Sequence, residues 1–303
     1  PMECHPKTGL HYIHVFRPVD TFAEVSASYR SAADRLGWMS VDDLSRWDHK
    51  RPEWQNPSAM PIFWGDLPRI PKRRLAPFGF RHTESAAERT CLVRPQQVRL
   101  KWFLSIAGIP DIVLAGTPTA KAFLQPYCRR TGLVPVGYDA EAMGCPDWAA
   151  PKEFDLAFYG TEAGRRTWLL KALERRFGKR YVRISSFGNE RKKLLDRCRA
   201  VLYVGHSEES AFPGMRIWQA IAASAALISE ERDTWPAVGG RHLIVLPAAV
   251  EAKVDFFLDG LSVLLEKDLE GTARTAHEEL GRWTVDRSME DFMVPETVGL
   301  RQA

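Results

Sequence analysis

No run of apolar residues in the chain approaches the roughly 18 that a membrane-crossing helix needs, so no membrane span is expected. The opening stretch PMECHPKTGLHYIHVF lacks the basic start and long apolar core of a secretion signal, which favours a cytoplasmic protein. Cysteine is scarce: Cys4, Cys91, Cys128, Cys145 and Cys198 are odd in number, scattered, and form no CxxC pair. A disulfide framework and a thiolate zinc site are thereby excluded, and the thiols read as reduced packing residues. Neither a GxGxxG fingerprint nor a GxxxxGK[ST] loop occurs, which removes most support for a classical dinucleotide-binding or ATPase reading. Internal repeats and low-complexity tracts are also missing. With 45% hydrophobic and 26% charged residues over 303 positions, the chain can bury a core and fills one large or two ordinary domains.

Charge is unevenly placed. Residues 1–150 hold 19 Lys+Arg against 15 Asp+Glu, so the whole net charge of +4 lies in that half. The densest part carries Arg69, Lys72, Arg73, Arg74, Arg81, Arg89, Arg94, Arg99 and Lys101, opposed only by Glu84 and Glu88. Such a segment is either a solvated face or a site for a polyanion.

The second half alternates short apolar runs with helical patterns. DLAFY is followed by the turn Gly160-Thr161 and a helix expected over residues 163–177, with Leu169, Leu170 and Leu173 facing inward. YVRI then leads through Ser185-Ser186-Phe187-Gly188 into a helix; AVLYV leads through GHSEESAFPG into another; AALIS and HLIVL follow. Strands and helices alternating at this spacing predict parallel βαβ units with right-handed crossovers. The first half is looser but compatible, with YIHVF before a helix at about 21–36 and DIVLAGTPTAKAFLQPYC giving strand, Thr117 N-cap, Pro118 and helix. Residues 38–77 read as irregular, and 139–153 as a linker. The expected class is α/β with two Rossmann-like domains, 1–140 and 141–290, and a tail at 291–303. Residues 266–293 are expected to be helical, with Trp283 anchoring a segment that packs back.

In open α/β sheets, ligands lie beyond the carboxyl ends of the strands, where helix N-termini offer free N–H groups to phosphates. The loops that qualify are Gly160-Thr161, Ser185 to Gly188, and Gly205 to Gly214. In GMRIWQAIAASAALISEE, Arg216 falls in the first turn of a helix, where its guanidinium adds to the N-terminal dipole. Gln219, three residues on, shares its face. A diphosphate and its ribose are the expected targets. The small residues Ala220, Ala222, Ala223, Ser224 and Ala225 let helix and strand approach closely beside them.

The segments EFDLAFYGTEAGRRTWLLKAL and ERKKLLDRCRAVLYVGHSEESAFPGMRIWQAIAASAALISEE, with the lead-in VPVGYDAEAMGCP, resemble the nucleotide-sugar domain of GT-B glycosyltransferases, in particular the CgeB-like, group 1-related type. The resemblance covers about residues 133–247. It implies two Rossmann-like domains facing a cleft, a nucleotide-sugar donor, UDP-sugar foremost, and no metal; no DxD motif stands at a strand end. By the same resemblance Gly160 and Thr161 lie near the donor phosphates, Arg216 holds the diphosphate, and Gln219 stands where the family has a ribose-binding Glu. Ser185, Ser186 and Phe187 fall where the base is gripped. Gly205 belongs to the phosphate-side loop. The family's upstream acidic position is occupied by Ala211, with Glu208 and Glu209 just before it.

Acid–base chemistry then falls to Asp20 in FRPVDTF and to His82 and Glu84 in FRHTES, with His206 a candidate for stabilising the leaving group. The expected activity is sugar transfer to an acceptor hydroxyl. DNA carrying hydroxymethylated bases is one acceptor class, through the basic segment bounded by Arg69 and Lys101; a glycan or small molecule is the other. A catalytically silent nucleotide-sugar-binding protein and a nucleotide-sugar epimerase on the same fold are the alternatives.

Overall fold

Near-continuous apolar runs such as FDLAFY and CRAVLY are what a strand needs when both faces of its sheet are covered, which is the rule for all-parallel sheets. A computed structural model describes the chain over residues 11–15, 23–41, 59–64, 91–93, 112–115, 121–122, 125–127, 130–134, 137–162, 164, 166–204, 214–230, 244–246 and 254–293. Two units are formed: Pro1–Gly137 with Val285–Ala303, and Tyr138–Thr284.

The first unit contains β1 (His11–Val15), α1 (Ala23–Arg35), β2 (Met39–Val41), β3 (Ala59–Trp64), β4 (Cys91–Val93), β5 (Ile112–Ala115) and β6 (Arg130–Leu133). Its six strands are ordered β2-β1-β3-β4-β5-β6, and every pairing is parallel. α1 buries Tyr29, Ala32 and Ala33, residues spaced along one helical face.

The second unit contains α2 (Ala140–Met143), β7 (Phe154–Tyr159), α3 (Arg166–Phe177), β8 (Tyr181–Ile184), α4 (Gly188–Asp196), β9 (Cys198–Tyr203), α5 (Gly214–Ala222), β10 (Ala226–Glu230), β11 (Ile244–Leu246), α6 (Val254–Leu265) and α7 (Leu269–Leu280). Its sheet runs β11-β10-β9-β7-β8, again wholly parallel. Alternate residues of a strand point to opposite faces. Leu156 and Phe158 join Leu169, Leu170 and Leu173 of α3 and Phe257, Leu258 and Leu261 of α6 in one core. Tyr159, on the other face, meets α4 and α5. Helices therefore cover both faces, as right-handed crossovers require.

The stretch read from sequence as a linker, residues 139–153, is folded into this unit. Asp139 caps α2 by accepting from the Glu141 and Ala142 amides, and Trp148 packs against the core. After α7 the chain turns at Trp283, whose carbonyl accepts from the Tyr138 amide at 2.7 Å, and Tyr138 and Thr284 form a parallel bridge. It then enters the first unit as α8 (Val285–Ser288) and a π-helical turn (Met289–Met293). There Asp286 accepts from Arg35 Nε and Nη2 at 3.0–3.2 Å.

A polar cluster lies where the strands of the second unit begin. Asp196 Oδ1 accepts from the amides of Ser224 (3.0 Å) and Asp147 (3.3 Å), and its Oδ2 from Lys192 Nζ (2.6 Å). Lys152 Nζ donates to the Asp196 carbonyl at 2.7 Å and to Ser224 O and Oγ at 2.5 and 2.6 Å. Burial holds the Lys152 ammonium below the usual lysine range, a shift the Asp196 carboxylate opposes. Nearby, burial pushes the Cys198 thiol up to about 12, so it stays protonated and inert at neutral pH. Replacing Asp196 by Ala strands one buried and two part-buried donors and is expected to cost about 3–5 kcal/mol, read as a lower urea midpoint with unchanged slope; an unaltered midpoint would show the cluster to be idle.

Candidate functional site

In the second unit β7 is followed by β8 on one side, while β9, its neighbour on the other side, leads away to β10. The order matches the doubly wound arrangement whose switch point lies between its first and third strands, and ligands bind beyond the carboxyl ends at that point. Here the point lies between Tyr159 and Tyr203.

Gly160 follows β7 with φ 124°, a conformation that favours glycine, so the turn is specified by residue type. It and Thr161 are exposed. Arg166, the first residue of α3, reaches across the switch point. Its Nε donates to the Val204 carbonyl at 2.7 Å and its Nη1 to the Thr161 carbonyl at 3.1 Å. The guanidinium carbon lies 5.6 Å from the Phe158 ring centroid and 5.9 Å from that of Tyr203. Only 4% of Arg166 is exposed. A cation in the first turn opposes the helix dipole, and burial costs it hydration; the two carbonyls and two ring faces offset these terms. Sequence reasoning missed this residue. The one hint was an Arg three positions before Leu169-Leu170, because its partners are main-chain oxygens that leave no trace in the sequence.

Beyond β8, Ser185 is exposed, and Phe187 is 52% exposed. Ser186 Oγ is buried with no hydrogen-bond partner among the described residues. Phe187 occupies the cap position of α4 and supplies no side-chain bond to the free amides of that helix. Arg191, buried in α4, lies 5.5 Å from the Phe187 ring and 5.0 Å from that of Tyr159. Two aromatic rings thus share one guanidinium, each contact favourable by about 0.5–2 kcal/mol.

On α5, Gln219 is 8% exposed, and its Oε1 accepts from the Tyr159 hydroxyl at 2.6 Å. Ala220, Ala222, Ala223, Ser224 and Ala225 are all buried, which allows the close helix–strand approach their size permits. Arg216 is the third residue of α5, so its backbone lies in the first helical turn; its side chain falls outside the described residues. Asp20, His82, Glu84, Gly205, His206 and Glu208 also lie outside them, as does the basic segment except for residues 91–93. The structure therefore brings together Gly160, Thr161, Ser186, Phe187 and Gln219 at the carboxyl edge of β7 and β8, and adds Arg166, Arg191 and Tyr159. Among the described residues no group of three or more His, Cys, Asp or Glu could hold a metal ion, and no helix is long and apolar enough to cross a membrane.

The chain aligns with several solved structures over nearly its full length. HepE from Anabaena in complex with UDP matches at TM-score 0.55 and 8% identity, over 95% of this chain and 99% of that one. Sucrose-phosphate synthase from Thermosynechococcus elongatus matches at 0.52 and 9%, over 92% and 98%. A glycosyltransferase from Rickettsia africae matches at 0.52 and 8%, over 97% and 99%. The fold is that of the GT-B-type glycosyltransferases. No family model and no curated protein sequence matches the chain, and the likeness extends to the GT-B-type fold without reaching the CgeB-like branch.

Within this GT-B-type fold Arg166 joins the two strand ends that flank the switch point. Arg166→Ala is expected to lose about 2–4 kcal/mol of stability by taking the donor from the buried Val204 carbonyl and from the part-buried Thr161 carbonyl. Arg166→Lys should recover less than half, since an ammonium cannot reproduce the fork. Equal melting temperatures for wild type and Arg166→Ala would contradict the tie.

Proposed function

We propose that the chain transfers a sugar from a nucleotide-diphosphate sugar to an acceptor hydroxyl, with UDP-sugar as donor. The observation that carries this reading is the glycine-led turn and buried guanidinium at the β7/β9 switch point. They occur in a fold shared with HepE, which was solved with UDP and with UDP and glucose.

In this reading Gly160 and Thr161 line the diphosphate, and Arg216 with the amides opening α5 grips it. Gly205, His206 and Glu208 belong to the loop that faces the donor. The exposed ring of Phe187, braced from behind by Arg191, forms a platform for the base, beside Ser185 and the unpaired hydroxyl of Ser186. Gln219 meets the ribose. The bond from the anomeric carbon to the diphosphate breaks, and the acceptor oxygen forms the new one. The acceptor's proton passes to Asp20, His82 or Glu84, while the departing diphosphate is stabilised by positive charge and oriented amides, with no metal required. The nine basic residues between Arg69 and Lys101 supply the charge for a polyanionic acceptor such as DNA.

The test is a thermal-shift series with UDP, GDP, TDP and their sugars. UDP at about 100 times its dissociation constant should add about 2.7 kcal/mol of stability, and Phe187→Ala should reduce the shift without lowering the melting temperature of the free protein. If no nucleotide raises the melting temperature, the donor site is misassigned. On the acceptor side, DNA binding should fall steeply with salt, and Arg73→Glu with Arg74→Glu should abolish it while leaving UDP binding intact. A flat salt response eliminates DNA.

A further inference from the structure

The turn proposed to line the diphosphate carries a negative charge of its own. Glu162 directly follows Gly160 and Thr161, and all three are exposed. A carboxylate free to swing over that turn would repel a diphosphate; like charges about 7 Å apart near a protein surface weaken binding by about three- to tenfold. The structure turns this carboxylate aside. Glu162 Oε2 accepts from Arg183 Nη2 at 2.5 Å, and Glu174 Oε1, on α3, accepts from Arg183 Nη1 at 3.2 Å. Strand register explains the reach: Arg183 pairs with Phe158, so it points to the sheet face that α3 covers. β8 is the edge strand on one side of β7, and β9 lies on the other. Glu162 is therefore held toward the sheet edge and away from the β7/β9 gap, while Arg166 ties the neighbouring Thr161 carbonyl to the end of β9.

Resting on the donor-site reading above, we infer that Arg183 is a positioning residue for donor binding: it withdraws the Glu162 carboxylate onto the β8 edge, so that the diphosphate meets no carboxylate at the turn. The pair is partly exposed, with 41% of the Arg183 side chain and 33% of that of Glu162 accessible, so it adds little to folding stability. Its effect lies in where one charge sits.

Dissociation constants for UDP and uridine are measured with wild type, Arg183→Gln, Glu162→Gln and the doubles Arg183→Gln/Glu162→Gln and Arg183→Gln/Glu174→Gln. Wild type and Glu162→Gln should both prefer UDP. Arg183→Gln should weaken UDP by about three- to tenfold and uridine by less than about twofold, with the loss shrinking as salt is raised. Its melting temperature should change little. Adding Glu162→Gln should restore UDP binding to within about twofold of wild type. Adding Glu174→Gln restores the same net charge from the helix and should leave UDP binding weak, which separates a released carboxylate from a change in overall charge. An unchanged ratio of UDP to uridine affinity in Arg183→Gln overturns the inference, as does rescue by both doubles alike or by neither. A wild type that binds UDP no more tightly than uridine removes the diphosphate placement and this inference together, whereas a wild-type preference that Arg183→Gln leaves intact removes this inference alone.

Discussion

Between the carboxyl ends of β7 and β9 the chain departs in two directions. β7 feeds α3 on one face of the sheet and β9 feeds α5 on the other, so no crossover closes the gap between them. Sheet order creates that gap, and a gap at strand ends is where α/β proteins hold ligands. The Arg166 guanidinium bridges it by binding one carbonyl from each side. The same contact fixes the path of the Gly160-Thr161 turn, the start of α3 and the end of β9. Tyr159, the last residue of β7, adjoins this turn and reaches Gln219 on α5.

Two buried guanidiniums flank this edge, and both are set against aromatic faces: Arg166 on Phe158 and Tyr203, Arg191 on Tyr159 and Phe187. Ring faces hold each guanidinium in place, and at Arg166 two main-chain oxygens add to that hold.

Much of the fold was legible because β7 and β9 are apolar on both faces and Gly160 and Gly188 punctuate the chain at strand ends. The expected runs DLAFY, YVRI and AVLYV fall within or beside β7, β8 and β9 as observed. At the candidate site, local geometry was legible in the sequence only where it depends on neighbouring residues, as in the Gly160 turn and the loop ahead of α4. The Tyr159–Gln219 bond joins residues 60 positions apart, and its existence depends on which face of β7 receives α5, which hydrophobic periodicity does not state. Arg166 was missed for a related reason, since the identity of its acceptors follows from sheet order. The linker expectation over residues 139–153 failed because polar and proline-rich composition resembles that of a connector, whereas Asp139 and Trp148 are engaged in a cap and a core.

The parallel bridge between Tyr138 and Thr284 sets side by side the two points at which the chain enters and leaves its second unit. In topological terms residues 138–284 are an insertion in the first unit, with adjoining ends. A cassette of this kind can be excised, closed on itself with a short loop, or exchanged for another while the host sheet keeps its own strands in order.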